Sequence, residues 1–252
     1  MADNNYQQVN DSGEHHEGEP DKFLLEHADN DDRLGFVKKV YAILATQLTI
    51  TFGFVAIVKA SPTLNDTLPL LMPLIIVALV LAICIQCALV CCKSVARTTP
   101  TNYILLFVFT LCWTFIIGVI CAMYETEVVL SAAAMTMVIT VSLSLYACFT
   151  KNDFTQLCGP FVCWGLIIIF FLSMMMSVLS MLVFTFTETW IPFAAGFAVL
   201  VYGLFLLIDT QLVVGGKRHE LRIDDYIVGA LILYLDIIMI FLELLKIFGG
   251  RK

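Results

Sequence analysis

The chain has 252 residues, of which 60% are hydrophobic and only 14% are charged. Soluble domains are usually close to half apolar and a quarter charged, so this chain has too little polar surface to cover a water-facing globule. The formal net charge of −7 does not indicate an acidic globular domain, because much of the acid lies in the first 33 residues.

Residues 1–33 form a polar segment that is rich in Asp and Glu and carries no periodic apolar residues. A segment of this composition cannot bury enough apolar surface to fold by itself. We therefore predict a disordered acidic tail over residues 1–33. A single transmembrane domain is predicted to follow it over residues 34–252.

Long apolar runs fill the sequence after this tail. A helix that crosses the hydrocarbon core of a bilayer needs about 20 apolar residues, and runs of that length recur from residue 40 onward. The connections between them are short, so consecutive helices should pack antiparallel. The predicted fold class is an all-α integral membrane protein with seven transmembrane helices, over residues 37–59, 68–91, 102–123, 128–149, 158–184, 191–214 and 226–247.

Basic residues flank these runs unevenly, and short flanks rich in Lys and Arg normally stay in the cytosol. The basic flanks contain Arg33, Lys38, Lys39, Lys93, Arg97, Lys151, Lys217, Arg218 and Arg222. We predict that these flanks and the tail are cytosolic. Seven crossings put the C-terminus on the far side, yet Lys246, Arg251 and Lys252 lie there. Either the last element does not span fully, or the upstream basic residues outweigh these three.

Two acidic residues interrupt the last two apolar runs, Asp209 in FLLIDTQLVV and Asp236 in LYLDIIMIFLELL. An ionised carboxylate at the bilayer centre costs at least about 2.5–3.5 kcal/mol, so such residues normally face the bundle interior and find partners. About 14 residues separate Asp209 from the turn near residue 223, and about 13 separate Asp236 from it. Equal distances from the turn of a helical hairpin put two side chains at one depth, so these Asp residues are predicted to meet.

A close carboxyl pair has a distinctive chemistry. The two groups cannot both ionise cheaply, so they titrate as a coupled unit that can hold one shared proton. Without that proton they offer hard oxygen ligands to Ca²⁺, and with it they can hydrogen-bond and hold the two helices together. The pattern predicts a proton-sensitive cation site at Asp209 and Asp236. The alternative is structural, with each Asp bonded to a separate hydroxyl or water.

Three further acidic residues are candidates for an ion pathway. Glu243 follows Asp236 by seven residues, which puts both on roughly one face of a helix. Glu125 and Glu127 make a far-side loop acidic, which would concentrate cations there. The simpler alternatives are a water-reaching terminal residue for Glu243 and ordinary solvated charge for the two loop residues.

Cysteines cluster at the cytosolic end of the second run. Cys91 and Cys92 adjoin Lys93, and because juxtamembrane cysteines can be S-palmitoylated, both are candidate modification sites. Packing is the alternative. Cys84, Cys87 and Cys91 share one helical face, and no His or second CxxC supports a metal site there. We interpret these three as a small-residue packing stripe.

Residues 208–248, IDTQLVVGGKRHELRIDDYIVGALILYLDIIMIFLELLKIF, resemble the signature of the Bax-inhibitor-motif membrane proteins, in particular the lifeguard branch. The match extends to FVKKVYAILATQLTIT (36–51), YETEVVLSAAAMT (124–136) and TKNDFT (150–155), and so covers nearly everything after the tail. The resemblance implies a seven-helix fold in which the other helices wrap a central C-terminal helix. It also implies a Ca²⁺-permeable leak path, a pH-sensing pair at Asp209 and Asp236, and a role in suppressing cell death.

We therefore expect a pH-sensitive Ca²⁺ leak channel that lowers stored Ca²⁺ and suppresses apoptosis. The expected location is the endoplasmic reticulum or Golgi membrane, with the plasma membrane as an alternative. The alternative functions are an anti-apoptotic adaptor that binds apoptosis regulators or death receptors, and a proton-coupled Ca²⁺ antiporter. The bilayer, Ca²⁺ and protons are the expected partners. No nucleophile–base pair, phosphate loop or metal cluster in the sequence indicates an enzyme, a cofactor or nucleic-acid binding.

Overall fold

A computed structural model describes residues 30–157, 191–215 and 221–249. The described residues form α-helices joined by short 3₁₀ turns, without a β-strand. The helices are α1 (Asn30–Ala60), α2 (Pro62–Thr67), α3 (Pro73–Cys91), α4 (Lys93–Arg97), α5 (Thr101–Ala122), α6 (Thr126–Phe149), α7 (Ile191–Val214) and α8 (Tyr226–Phe248). Turns of 3₁₀ helix cover Leu68–Leu71, Phe154–Leu157 and Ile223–Asp225.

Six helices within the described ranges are long and apolar enough to cross a membrane, namely α1, α3, α5, α6, α7 and α8. The prediction of an all-α integral membrane protein is confirmed. The predicted span over residues 158–184 lies outside the described residues, as do residues 1–29 of the predicted tail.

Most helix ends fall close to the predicted ones, and two differences have local causes. α1 begins at Asn30, seven residues before the predicted start, and its first turn carries Asp31 and Asp32. Acidic side chains there are stabilised by the positive end of the helix dipole, so polar composition did not prevent helix formation. The predicted span from residue 68 begins at Pro73 instead, because proline suits the first turn of a helix but not its interior.

The C-terminal helix α8 lies at the centre of the bundle, as predicted. Nearly every residue between Ile227 and Leu245 is buried, and α8 packs most extensively against α7, α1 and α6. Gly229 allows this close packing, since a Cβ atom there would lie 3.3 Å from Val213 Cγ2 and 3.4 Å from Val40 Cγ2.

The outer faces of the bundle are apolar. Large hydrophobic side chains are exposed along α3, α5, α6 and α7, among them Ile76, Val80, Phe107, Met137 and Leu200. A soluble protein rarely exposes so much apolar surface. These faces are suited to lipid acyl chains, so the chain is a multi-pass membrane protein in contact with the bilayer.

Candidate functional site

Asp209 and Asp236 meet across the α7–α8 hairpin. Their carboxyl groups lie within hydrogen-bonding reach of each other. Asp236 is only 1% exposed, and its Oδ2 atom has no hydrogen-bond partner among the described residues. An orphaned buried carboxylate oxygen is uncommon and calls for a proton, a water molecule or an ion. The assignment of the pair as a pH sensor and Ca²⁺ site stays a prediction.

The pair alone offers a small ligand set for Ca²⁺, which takes six to eight oxygen ligands. The described residues bring together no group of three or more His, Cys, Asp or Glu side chains. Water and backbone carbonyl groups would have to complete the coordination of an ion at Asp209 and Asp236. This chemistry is better suited to an ion in transit than to a tightly held one.

A glutamine next to the pair fixes a loop at the same end of the bundle. Gln211 is buried, its Oε1 accepts a hydrogen bond from the Phe154 backbone N–H at 2.9 Å, and its Nε2 donates to the Asn152 carbonyl at 3.0 Å. Both ends of the carboxamide therefore hold the segment that follows α6. Sequence reasoning missed this role, although a Gln two residues after an Asp inside an apolar run was a visible signal.

A second polar cluster lies on the other side of the central helix. Thr51 of α1 shares hydrogen bonds with Thr114 of α5 at 3.0 Å and with the Tyr234 hydroxyl of α8 at 2.9 Å. One turn earlier on α1, Gln47 donates to Thr110 at 2.9 Å. The sequence did not reveal this cluster, because Thr and Tyr also occur singly in apolar helices.

An ion pair joins the short helix α4 to the start of α8. Arg97 donates from Nε to Asp225 Oδ1 at 2.8 Å and from Nη2 to Oδ2 at 3.0 Å. The hydrogen bonds that Arg97 donates to Asp225 raise the pKa of the Arg97 guanidinium above its usual value. Two parallel bonds of this kind fix orientation as well as distance, so the pair anchors the α3–α5 connection to the start of the central helix.

The other predicted pathway residues do not join the Asp pair. Glu243 is 3% exposed and forms an ion pair with Lys246 at 2.9 Å. It lies about 10.5 Å beyond Asp236 along the helix axis, for a rise of about 1.5 Å per residue. Glu125 and Glu127 are exposed at the α5–α6 connection, at the opposite end of the bundle from the α7–α8 turn.

The cysteines of α3 face outward. Cys84, Cys87, Cys91 and Cys92 are exposed, whereas the buried face of this helix carries residues such as Leu79. The interpretation of the first three as a packing stripe is therefore wrong for the described residues. Cys91 and Cys92 lie at the junction of α3 and α4, and their S-palmitoylation stays a prediction.

A central apolar helix, outward apolar faces and a carboxyl pair between α7 and α8 together define a polytopic α-helical membrane protein with a polar site inside the bundle. Residues 33–252 match the family model described as inhibitor of apoptosis-promoting Bax1. The chain belongs to this Bax inhibitor family, which confirms the resemblance found in the sequence.

Individual relatives agree with the family match. Protein lifeguard 3 of Mus musculus is 32% identical over 221 residues, which cover 87% of this chain and 70% of that protein. Protein lifeguard 3 of Homo sapiens is 32% identical over 219 residues, which cover 86% of this chain and 69% of that protein. A BI1-like protein of Arabidopsis thaliana is 33% identical over 226 residues, which cover 88% of this chain and 83% of that protein.

Proposed function

We propose that the chain is a pH-sensitive Ca²⁺ leak channel of intracellular membranes, which lowers stored Ca²⁺ and thereby suppresses apoptosis. The observation that carries this proposal is the contact between Asp209 and Asp236 inside the bundle. Membership of a family described by inhibition of an apoptosis-promoting protein supports the anti-apoptotic role. The endoplasmic reticulum and the Golgi are the proposed membranes.

The carboxyl pair would couple proton binding to Ca²⁺ passage. With one shared proton, a hydrogen bond joins α7 to the central helix α8, and the pair carries a single negative charge. Without that proton, two adjacent negative charges repel each other and attract a divalent cation. The unpartnered Oδ2 of Asp236 is the oxygen available to this ion. Proton binding and ion binding thus compete for one pair of side chains.

Two other functions use the same features differently. A proton-coupled Ca²⁺ antiporter would exchange the shared proton for Ca²⁺, a role that intramembrane carboxylates also perform. An anti-apoptotic adaptor would act by binding apoptosis regulators or death receptors, with ion flux incidental. The family description favours this second alternative as much as it favours a channel.

Flux from liposomes separates the three functions. Purified protein is reconstituted into Ca²⁺-loaded liposomes, and Ca²⁺ release is followed with and without a proton gradient, against protein-free liposomes. A leak channel releases Ca²⁺ without any partner and without the gradient. Flux that requires the gradient would favour the antiporter. No flux under either condition would contradict the channel and favour the adaptor.

A further inference from the structure

A groove, called the α1–α6 groove below, separates α1 from α6 in the half of the bundle that lies opposite the α7–α8 turn. It is lined on α1 between Leu48 and Lys59, on α6 between Thr126 and Val141, and at its floor by Ile237 of the central helix α8. Both α1 and α6 pack against α8 but make few contacts with each other. The groove has a volume of about 560 Å³, within the range of about 300–1,000 Å³ that is usual for small-molecule sites.

The walls of the α1–α6 groove are suited to an apolar ligand. Two small side chains, Ala56 on α1 and Ala133 on α6, lie in the lining and leave space between the helices. The hydroxyl groups of Thr49 and Thr136 donate to carbonyl groups of their own helices, at 2.7 Å in both cases, so neither needs a partner in the groove. Thr140 Oγ1 has no hydrogen-bond partner among the described residues, but one hydroxyl group among apolar side chains is too little to recognise a polar ligand.

The α1–α6 groove opens sideways onto the surface that contacts the bilayer. Leu130, Met137 and Val141 line the groove, and they are also 64%, 66% and 51% exposed on the outer side of α6. The lining is therefore continuous with the lipid-contacting surface, and a lipid chain can enter without leaving the hydrocarbon region. Apolar cavities exclude water, and unfilled space forfeits dispersion contacts, so a chain from the surrounding lipid is the occupant that fits.

The outer end of the α1–α6 groove is charged. Lys59 is the one charged residue among the described residues of the lining, and its ammonium donates to the Asn65 side chain at 3.2 Å and to the Tyr124 carbonyl. These bonds hold the ammonium at the mouth of the groove, where a phospholipid whose chain fills the groove carries its phosphate, a group that lysine binds as a point charge. Glu125 and Glu127 are exposed at the same end, and their charge disfavours an anionic headgroup relative to a zwitterionic one.

We propose that the α1–α6 groove binds one acyl chain of a zwitterionic phospholipid, taken from the leaflet at this end of the bundle, with the phosphate beside Lys59. The chain contacts Ile237 of α8, the residue after Asp236, so the bound lipid becomes part of the packing around the central helix. Any effect of this lipid on Ca²⁺ flux rests on the proposed function, whereas lipid binding itself does not.

Native mass spectrometry of the full-length protein in detergent, with added palmitoyl-oleoyl phosphatidylcholine, tests this binding. We expect wild type to bind one lipid molecule more tightly than any further ones. Ala133→Phe places a ring in the groove and should weaken binding of that first lipid at least about tenfold, because the chain loses buried apolar area. Ala134→Phe is the matched control, since Ala134 is exposed on the same helix and lies outside the lining, and it should bind the lipid as wild type does.

Ala56→Leu fills the groove from the opposite wall if Ala133→Phe folds poorly, and its control is Ala45→Leu, at an exposed position of α1 outside the lining. Equal binding of the first lipid by the groove variants and their controls would overturn the proposal, as would tighter binding of phosphatidylglycerol than of phosphatidylcholine. A wild-type dimer that Ala133→Phe abolishes would instead assign the groove to a second copy of the chain. Because the readout is lipid binding, a protein without Ca²⁺ flux can still bear the proposal out.

Discussion

At the scale of single residues, the central helix presents two different polar faces. Asp236 faces Asp209 of α7, while Tyr234, two residues earlier, faces Thr51 of α1. Residues two apart on a helix lie nearly opposite each other, so one turn of α8 contacts both sides of the bundle through polar groups. Hydrogen bonds of this kind hold the orientation of α8 that places Asp236 against Asp209.

Replacement of Tyr234 by Phe removes the hydroxyl that bonds Thr51 and keeps the ring. We expect a loss of about 0.5–1.5 kcal/mol in the free energy of unfolding, the usual range for one buried hydrogen bond. Chemical denaturation in mixed micelles measures this free energy of unfolding. Tyr146→Phe is the control, because Tyr146 is exposed on α6 and should change stability little. Equal stability of both variants would show that the Thr51 bond contributes nothing.

The sequence predicted the Asp contact but not its polar surroundings. Charge inside an apolar run is costly, so Asp209 and Asp236 stood out, and their equal distances from one turn predicted that they meet. Thr51 and Tyr234 carry no charge, and nothing in their spacing shows that α1 crosses α8 at that level. Lys246 was interpreted only as a terminal basic residue, because i, i+3 spacing does not show that both side chains are buried.

At the scale of elements, the length of the apolar runs predicted the first and last residues of α7 and α8 closely. The span 191–214 agrees with α7 at both ends, and the span 226–247 differs from α8 by one residue. The predicted start at residue 68 was wrong, because Pro69 and Pro73 interrupt the regular helix there. Hydropathy alone does not show this interruption, since the run is continuously apolar. Apolar composition thus locates the bilayer segment, while proline decides where regular helix begins.

Close packing of α1 against α5 depends on a glycine. A Cβ atom at Gly118 would overlap the Phe54 ring, including Cδ1 at 2.9 Å. We expect Gly118→Ala to cost about 1–3 kcal/mol of stability, because the ring must shift within a packed interface. Thermal unfolding in detergent measures this change.

Gly53→Ala is the matched control for that substitution. Gly53 lies on α1, and a Cβ atom added at this position would have no neighbouring atom within 4 Å. Alanine there should leave stability unchanged or raise it by up to about 1 kcal/mol through helix propensity. If Gly118→Ala is as stable as Gly53→Ala, the close contact with Phe54 does not limit the packing of these helices.

At the scale of the whole molecule, the charge pattern predicts which end faces the cytosol. The α3–α4 junction, the start of α1 and the α7–α8 turn carry most of the basic residues, and short basic flanks remain cytosolic. This end also holds the Arg97–Asp225 ion pair and the loop fixed by Gln211. The opposite end carries Glu125 and Glu127.

Protease protection tests this orientation. We expect an epitope at residue 5 to be removed when protease is added outside sealed microsomes, because the tail is predicted to be cytosolic. An epitope inserted beside Glu125, in the α5–α6 connection, should be protected until detergent opens the vesicles. Protection of the residue 5 epitope would reverse the assignment of both ends.

The proposed function requires that Asp209 and Asp236 act as one proton-binding unit that controls Ca²⁺ flux. Asp209→Asn and Asp236→Asn each remove one titrating group and keep size and hydrogen-bonding capacity. Each should abolish most of the dependence of flux on pH between about pH 6 and 8, where carboxyl pairs in proteins can exchange a shared proton. The double variant should resemble either single variant, because groups that act as a unit are not additive.

The most direct test of this shared proton-binding unit measures Ca²⁺ release from liposomes against pH. It compares wild type, both single variants and the double variant. Asp153→Asn is a suitable control, since Asp153 lies in the loop after α6 and its Oδ1 accepts a local hydrogen bond from Thr155. We expect a pH-dependent profile for wild type and for this control, and a nearly flat profile for the three variants of the pair. Wild-type profiles in both single variants would contradict a shared proton-binding unit and would make the Asp pair structural.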